Sequence, residues 1–137
     1  MVDAERLARL LRRVTDDVAR LSLHVDADPA ALLDDEIVLD HLKYRFVTVI
    51  EAMIDAAHHV CATEGFATPE TNAEALLELG RRGRLDAETA RQTSSAVGFR
   101  NVLVHRYAEV RDERVIEQLQ HLDALSEFVR ALSNRYL

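Results

Sequence analysis

Apolar residues recur at helical spacing along almost the whole of this 137-residue chain, and that periodicity is what most constrains its fold. No segment alternates apolar and polar residues with a period of two, so no sheet is expected. Only 4 glycines and 2 prolines interrupt the pattern. Long helices with short connections predict an all-α protein, an up-down bundle of four to five helices. The first stripe illustrates the spacing: Leu7, Leu10, Leu11, Val14, Val18 and Leu21.

Capping residues and helix breakers set the predicted boundaries. Asp28-Pro29 ends the first helix and Gly65 the second. Thr68-Pro69 reads as a cap followed by proline at the first helical position, while Asp86 and Asp112 are the expected caps of the last two helices. The predicted helices are 3–24, 35–63, 69–80, 87–107 and 113–135.

Length and composition indicate one globular domain over residues 1–137. The chain has no apolar run near the roughly 18 residues that span a bilayer, and its charged, periodic start is unlike a signal peptide. Cys61 is the single cysteine, which excludes an intrachain disulfide and favours a reducing compartment. We therefore expect a cytoplasmic protein without membrane contact, in which Cys61 and the phenylalanines Phe46, Phe99 and Phe128 belong to the core.

The charge distribution is uneven. The formal net charge is −7, which is unfavourable for a nucleic-acid binder. Between Arg81 and Arg106, however, six arginines face only two acids, Asp86 and Glu88. This segment is expected to be a basic region, or else an ordinary solvated turn.

The basic segment contains the stretch GFRNVLVHRY, from Gly98 to Tyr107. Arg100 and His105 are five residues apart, so a regular helix separates them by about 140° and about 7.5 Å along its axis. They can converge if the helix loosens near Gly98, or if a two-fold homodimer sets two copies of the stretch across one cleft. We favour the dimer.

These residue types suit metal-independent cleavage of RNA. A histidine can move a proton from the ribose 2′-hydroxyl or to the leaving 5′-oxygen near neutral pH. A guanidinium that stays charged can stabilise the phosphorane with two parallel hydrogen bonds. Arg100 and His105 are thus candidate catalytic residues, and Asn101 can bind phosphate or orient the histidine. The spacing alone is weak evidence, because it also fits an amphipathic helix whose polar residues face water.

A second polar set follows one face of the long second helix. Glu51, Asp55 and His59 are spaced by four residues, so they can face the cleft and support Arg100 or His105. Alternatively they hold helices together. Two carboxylates and one histidine do not make a metal site without further ligands, and we expect neither a metal nor a cofactor.

The run RNVLVHRY resembles the Arg-x4-His-x-Tyr signature of the HepT toxins, which belong to the HEPN superfamily of ribonucleases. The matched positions are Arg100, Asn101, His105, Arg106 and Tyr107. Two other stretches, VIEAMIDAAHHVCATEGFATPET and ALLELGRRGRLDAETARQ, also resemble the family, so the likeness covers about residues 35–130.

The resemblance implies a helical bundle that dimerises and cuts RNA without a metal, as the toxin of a type II toxin–antitoxin pair. It also implies a nucleotidyltransferase antitoxin of the MntA type that attaches adenylyl groups to Tyr107. Phosphate added beside Arg100 would repel and block the RNA. The alternative is a non-catalytic module of the same fold that binds a nucleotidyltransferase, a nucleotide or RNA.

Overall fold

The computed structural model describes residues 1–137 and is entirely helical. Two 3₁₀ turns, Tyr107–Glu109 and Leu119–His121, separate the last three helices. None of the helices combines the length and apolar character needed to cross a bilayer. The seven α-helices are α1 (Ala4–Ser22), α2 (Pro29–Leu33), α3 (Glu36–Thr63), α4 (Asn72–Arg81), α5 (Ala87–His105), α6 (Asp112–Gln118) and α7 (Leu122–Tyr136).

Side-chain caps begin the four main helices before the last. The carboxylates of Asp3, Asp35 and Asp86 and the hydroxyl of Thr71 each accept a hydrogen bond from the backbone N–H three residues later. Such a bond satisfies one of the N–H groups that a helix leaves unpaired at its start. The all-α class predicted from the sequence is confirmed, with helix limits close to the expected ones.

The differences from the predicted helices have local causes. The third helix begins at Asn72, not Pro69, because Thr71 rather than Thr68 supplies the cap and Glu74 follows it as in a capping box. Asp112 is not a cap but the first helical residue, and its carboxylate lies 3.0 Å from Nζ of Lys43. The predicted last helix is divided by the turn at Leu119–His121.

Helix α3 is the centre of the bundle, and α1, α4 and α5 pack around it. Its buried apolar residues belong to one core cluster of 32 buried residues. Phe46 of α3 meets Phe99 of α5 edge to face, with ring centroids 5.5 Å apart. The predicted core positions of Phe46, Phe99, Phe128 and Cys61 are confirmed, since each is at most 2% exposed.

Polar contacts fix α1 antiparallel to α3. Asp17, which is buried, accepts hydrogen bonds from Arg45 at 3.1 Å and from Thr48 at 2.6 Å. At the other end, the backbone N–H of Asp3 donates to Nε2 of His59 at 3.1 Å. These contacts fix the position of α1 along the axis of α3, so each α1 residue lies opposite a defined part of α3.

The His59 contact predicts a stability that depends on pH. Burial, and after it the charge of Arg6, lowers the pKa of His59, although the charge of Asp3 opposes the shift. The folded state therefore favours the neutral ring, whose Nε2 can accept the Asp3 N–H. As pH falls from about 7 to 5, the unfolded chain binds more protons than the folded one, so the free energy of unfolding should decrease.

Thermal melts at steps of pH test this expectation. His59→Gln keeps an oxygen that can accept the Asp3 N–H but does not titrate, so its midpoint should fall less between pH 7 and 5 than that of the unmodified protein. Equal slopes for the two proteins would contradict the role given to His59.

Candidate active site

The motif occupies the last two turns of α5. Val97, Phe99 and Leu103 are buried and anchor this part of the helix in the core. Asn101 and His105 are exposed on its outer side, whereas Arg100 is turned towards α3. The apolar centre of the stretch thus fixes the helix, and its polar residues border a surface between α5 and α3.

Arg100 is held by two partners. Its Nη2 lies 2.9 Å from Oε1 of Glu51 on α3, and its Nη1 donates to Oδ1 of Asn101 at 3.1 Å. Only 16% of the Arg100 side chain is exposed, against 46% for Glu51. Its Nε is buried without a hydrogen-bond partner. The guanidinium is therefore oriented at the edge of the surface, with Glu51 as its replaceable partner, because that carboxylate stays well hydrated.

Asn101 lies between Arg100 and His105 along the helix. Asn101 and His105 are four residues apart, so they lie one above the other on one face, about 6 Å apart along the axis. Asn101 contacts the Arg100 guanidinium, and its amide group lies between the arginine and the histidine around the helix axis. The Arg100–His105 pair itself is not brought into contact within one chain.

Tyr107 lies just beyond the end of α5. Arg106 leaves the helical conformation, with φ −135° and ψ 41°, and Tyr107 begins a 3₁₀ turn. The ring is 55% exposed, and the hydroxyl donates to Oδ1 of Asp40 at 3.3 Å. Nζ of Lys43 lies 5.0 Å from the ring centroid. The hydroxyl is thus accessible and sits among charged groups of α3.

The ammonium next to Tyr107 stays charged. Burial acts to lower the pKa of Lys43, but its hydrogen bond to Asp112 and the charges of Asp112, Tyr107 and Asp40 outweigh burial and raise it. A small cavity of about 270 Å³ lies at this point. It is lined by Asp40, Lys43, Tyr44, Val47, Leu103 and Tyr107. Such a site can hold an anionic group beside the phenol.

The other residues predicted to support the cleft are dispersed. Of Glu51, Asp55 and His59, only Glu51 reaches the motif; Asp55 is exposed with no hydrogen bond or ion pair, and His59 contacts Asp3. Arg106 is 70% exposed and lies 3.8 Å from Glu109. The structure therefore joins Glu51 to Arg100 and Asn101, and leaves the others apart.

The arginine-rich segment is not a free basic surface. Each of its six arginines has a carboxylate partner within 4.0 Å, so the charge that the sequence concentrates here is neutralised by acids of other turns and helices. The pairs are Arg81 with Glu74 and Glu78, Arg82 with Glu78, Arg84 with Glu64, Arg91 with Glu88, Arg100 with Glu51, and Arg106 with Glu109.

A cavity of about 290 Å³ lies on another side of the bundle, between α5, α6 and α7, and contains none of the motif residues. The motif instead adjoins three α3 residues that the sequence argument missed: Asp40, Lys43 and Tyr44. Their signal was available, because Asp40, Tyr44 and Glu51 share one face of α3 at helical spacing.

Comparisons with known proteins identify the family of the chain. The family described as ribonuclease HepT-like matches residues 5–132. The tRNA nuclease HepT of Aphanizomenon flos-aquae is 32% identical over 90 residues, which are 65% of this chain and 60% of that protein. The mRNA nuclease HepT of Shewanella oneidensis is 24% identical over 106 residues, 77% of this chain and 80% of that protein.

A solved structure shares the whole fold. The tri-AMPylated HEPN toxin of Shewanella oneidensis, in complex with its MNT antitoxin, superimposes with a TM-score of 0.86 at 21% identity, covering 98% of this chain and 99% of the toxin. The resemblance first carried by Arg100, His105 and Tyr107 thus extends to nearly the full length of the chain. On the strength of the match over residues 5–132, the protein belongs to the HepT-like ribonuclease family.

Proposed function

We propose that this protein is the toxin of a type II toxin–antitoxin pair, a metal-independent endoribonuclease that cuts RNA in a cleft between two copies of the chain. One observation carries the proposal: in a chain of the HepT-like family, the end of α5 carries a polar strip in which Asn101 accepts a hydrogen bond from Arg100 and precedes the exposed His105 by one helical turn. The two HepT relatives named as nucleases support it, one by its tRNA and the other by its mRNA substrate.

The strip fits the chemistry of transesterification. The ribose 2′-oxygen bonds to phosphorus while the bond from phosphorus to the 5′-oxygen breaks, leaving a 2′,3′-cyclic phosphate and a 5′-hydroxyl. The 2′-hydroxyl loses one proton and the 5′-oxygen gains one, and His105 moves one of these protons. Arg100 binds the phosphate oxygens when RNA displaces Glu51, and it stabilises their charge in the transition state. Asn101 keeps the guanidinium and the phosphate in line with His105.

A homodimer completes the site. Within one chain Arg100 faces α3 and His105 faces outward, so a second copy across a two-fold axis brings the two groups to one cavity. Two exposed side chains with apolar surface support this face as the contact: Tyr44 of α3 is 59% exposed, and Val104, within the motif, is 42% exposed. Gly98 also supports the dimer. Within one chain a Cβ at this position would meet nothing within 4 Å, so the fold itself does not require glycine there.

Tyr107 is the proposed point of control. Its hydroxyl attacks the α-phosphorus of ATP on a nucleotidyltransferase antitoxin of the MntA type, a P–O bond forms, pyrophosphate leaves, and the phenolic proton passes to a base. The exposed ring, the Asp40 acceptor and the Lys43 cation suit this reaction. The AMPylated Shewanella oneidensis toxin bound to its antitoxin supports it. A toxin acting on cellular RNA works in the cytoplasm.

The direct test is an RNA cleavage assay on the purified, unmodified protein with and without EDTA. Cleavage that persists in EDTA and leaves a 2′,3′-cyclic phosphate is expected. Loss of cleavage in EDTA would point to metal chemistry instead. RNA binding without any cleavage, by a protein shown by mass spectrometry to be unmodified at Tyr107, would favour the non-catalytic module.

A further inference from the structure

Helix α1 carries an unusual arginine pattern. Arg6, Arg13 and Arg20 step by seven residues, so they lie on one narrow stripe of the helix, and Arg9 lies about 60° to its side. All four are exposed, and together they form what we call the α1 ridge. It extends about 21 Å from Arg6 to Arg20 at 1.5 Å per residue.

The ridge lacks compensating charge. No arginine of α1 has a carboxylate within 4.0 Å, whereas all six arginines from Arg81 to Arg106 do. Glu5 and Asp16 are exposed on α1 without pairing, and Asp17 is turned into the core towards Arg45. In a chain with net charge −7, the ridge is therefore a positive surface left open. Arg9 lies three residues from Arg6 and four from Arg13, and like charges at these spacings repel one another on a helix.

The positive field reaches neighbouring histidines. After burial, the charge of Arg6 contributes to the lowered pKa of His59, and the charges of Arg45, His24 and Arg20 contribute to that of His41. His59 and His41 lie near opposite ends of α3. Arg6 and Arg20, at the two ends of the ridge, thus each disfavour the charged form of a histidine on α3.

The register of the helices places the ridge beside the candidate active site. The Asp3–His59 and Asp17–Arg45 contacts bracket α1 against α3, so Arg13 comes level with the Glu51 region of α3. Arg100 reaches Glu51 from α5, another neighbour of α3. Helix α3 therefore lies between the helix that carries the ridge and the helix that carries the motif, with Glu51 near the level of Arg13.

We propose that the α1 ridge binds the phosphate backbone of the RNA strand that is cut at the Arg100–His105 motif, a role that rests on the proposed nuclease function. Guanidinium groups bind phosphate oxygens in a fixed fork, and their charge does not titrate. The helix carries no aromatic residue on which a base could stack, so the ridge contacts phosphates without reading sequence. The ridge lengthens the bound RNA beyond the nucleotides in the cleft.

The test compares the unmodified protein with the triple variant Arg6→Gln, Arg13→Gln, Arg20→Gln. Glutamine and arginine have nearly equal helix propensity, so α1 should stay intact, which circular dichroism checks. The probe is a fluorescein-labelled 20-nucleotide RNA that is fully 2′-O-methylated and thus lacks the attacking hydroxyl. Affinity should fall about 10–100-fold near 0.1 M salt, and the slope of log affinity against log salt should become shallower by about 2.

A matched variant changes the same charge elsewhere. Arg91→Gln, Arg114→Gln, Arg130→Gln alters exposed arginines of α5, α6 and α7, and it should leave the salt slope nearly unchanged. Cleavage of a dinucleotide, which is too short to reach the ridge, should be the same in all three proteins.

Three outcomes would contradict the proposed role of the ridge. The first is an unchanged salt slope in the α1 variant, and the second is an equal loss of RNA affinity in the matched variant. The third is that the α1 variant loses binding to the nucleotidyltransferase partner while its RNA binding stays intact. The last would make the ridge a protein-docking surface. Failure of the nuclease function is distinguishable, because the unmodified protein would then cut neither long RNA nor the dinucleotide, whatever the ridge binds.

Discussion

Replacing His105 by alanine is expected to lower the rate of RNA cleavage by about 10²–10⁴-fold, the usual contribution of a positioned general acid or base. The ring is exposed at the last residue of α5, so its removal leaves no cavity and no unpaired buried group. The variant should therefore keep its helical content and its melting temperature while losing cleavage. Single-turnover rates on a labelled RNA, with circular dichroism on the same samples, measure both quantities.

His121→Ala is the matched control for this variant. His121 is also exposed and lies in the 3₁₀ turn before α7. It has no hydrogen bond to Arg100 or to Glu51, which pair with each other. It should cut RNA at the unmodified rate. If His105→Ala retained full activity in the absence of any fold change, His105 would not be the proton-transfer group, and the nuclease site would have to lie elsewhere.

The helices were predictable because local chemistry specifies them. Asp86 was expected to cap a helix, and it does so through Thr89. The start of α4 was misplaced because Thr68-Pro69 is as good a local signal as Thr71, and only the bond from Thr71 to the Glu74 N–H decides between them. The division after Gln118 has no sequence signal of the kind that Asp28-Pro29 supplies, since Leu119 and Leu122 keep the helical spacing across it.

The site was predictable in its residue types but not in its contacts. Arg100, Asn101 and His105 could be named from one stretch of sequence, whereas the partner of Arg100 depends on the register between α5 and α3. That register made Glu51 a partner and left Asp55 in solvent, although both share the same helix face. Side-chain periodicity limits which residues can meet, but packing between helices selects which of them do.

Charge was the least predictable property. The run from Arg81 to Arg84 looked basic in sequence, yet Glu64, Glu74 and Glu78 neutralise it. The exposed arginines of α1 have acids close to them along the chain, yet none of them forms an ion pair, since Asp17 pairs with Arg45. Net charge along a segment therefore says little about surface charge in a helical bundle, where an acid one turn or one helix away completes the pair.

The proposed modification site and the proposed nuclease site border the same face of α3. Tyr107 and Lys43 lie at one end of the α3 face, and Arg100 with Glu51 lies further along it. An adenylyl group on the Tyr107 hydroxyl would bring a phosphate close to both Lys43 and the RNA path. Modification at an exposed tyrosine can thus close the cleft by occupancy and by charge, without any change of fold.

Replacing Gly98 by glutamine is expected to stabilise the monomer and abolish cleavage. Glycine inside a helix costs about 0.5–1 kcal/mol relative to alanine, and Gly98 adopts no conformation that requires it, since only Gly65 and Gly83 have positive φ. By contrast, packing within the chain requires glycine at position 80, because an added Cβ would lie 2.6 Å from that of Ala90. No such contact within the chain requires glycine at position 98, which is consistent with close approach of a second copy of the chain at this point.

Glutamine at position 98 should shift the protein from dimer to monomer, and it should raise the melting temperature when both proteins are compared at concentrations low enough to be monomeric. Cleavage should fall to the level of His105→Ala, because each proposed site needs both chains. Sedimentation velocity, thermal melts and RNA cleavage on the same preparation measure the three effects. Ser95→Gln, one turn earlier and turned towards the α5–α7 cavity, should stay dimeric and active. A Gly98→Gln protein that remained dimeric and cut RNA normally would remove this face of α5 from the dimer, since two chains meeting at Gly98 leave no room for the longer side chain.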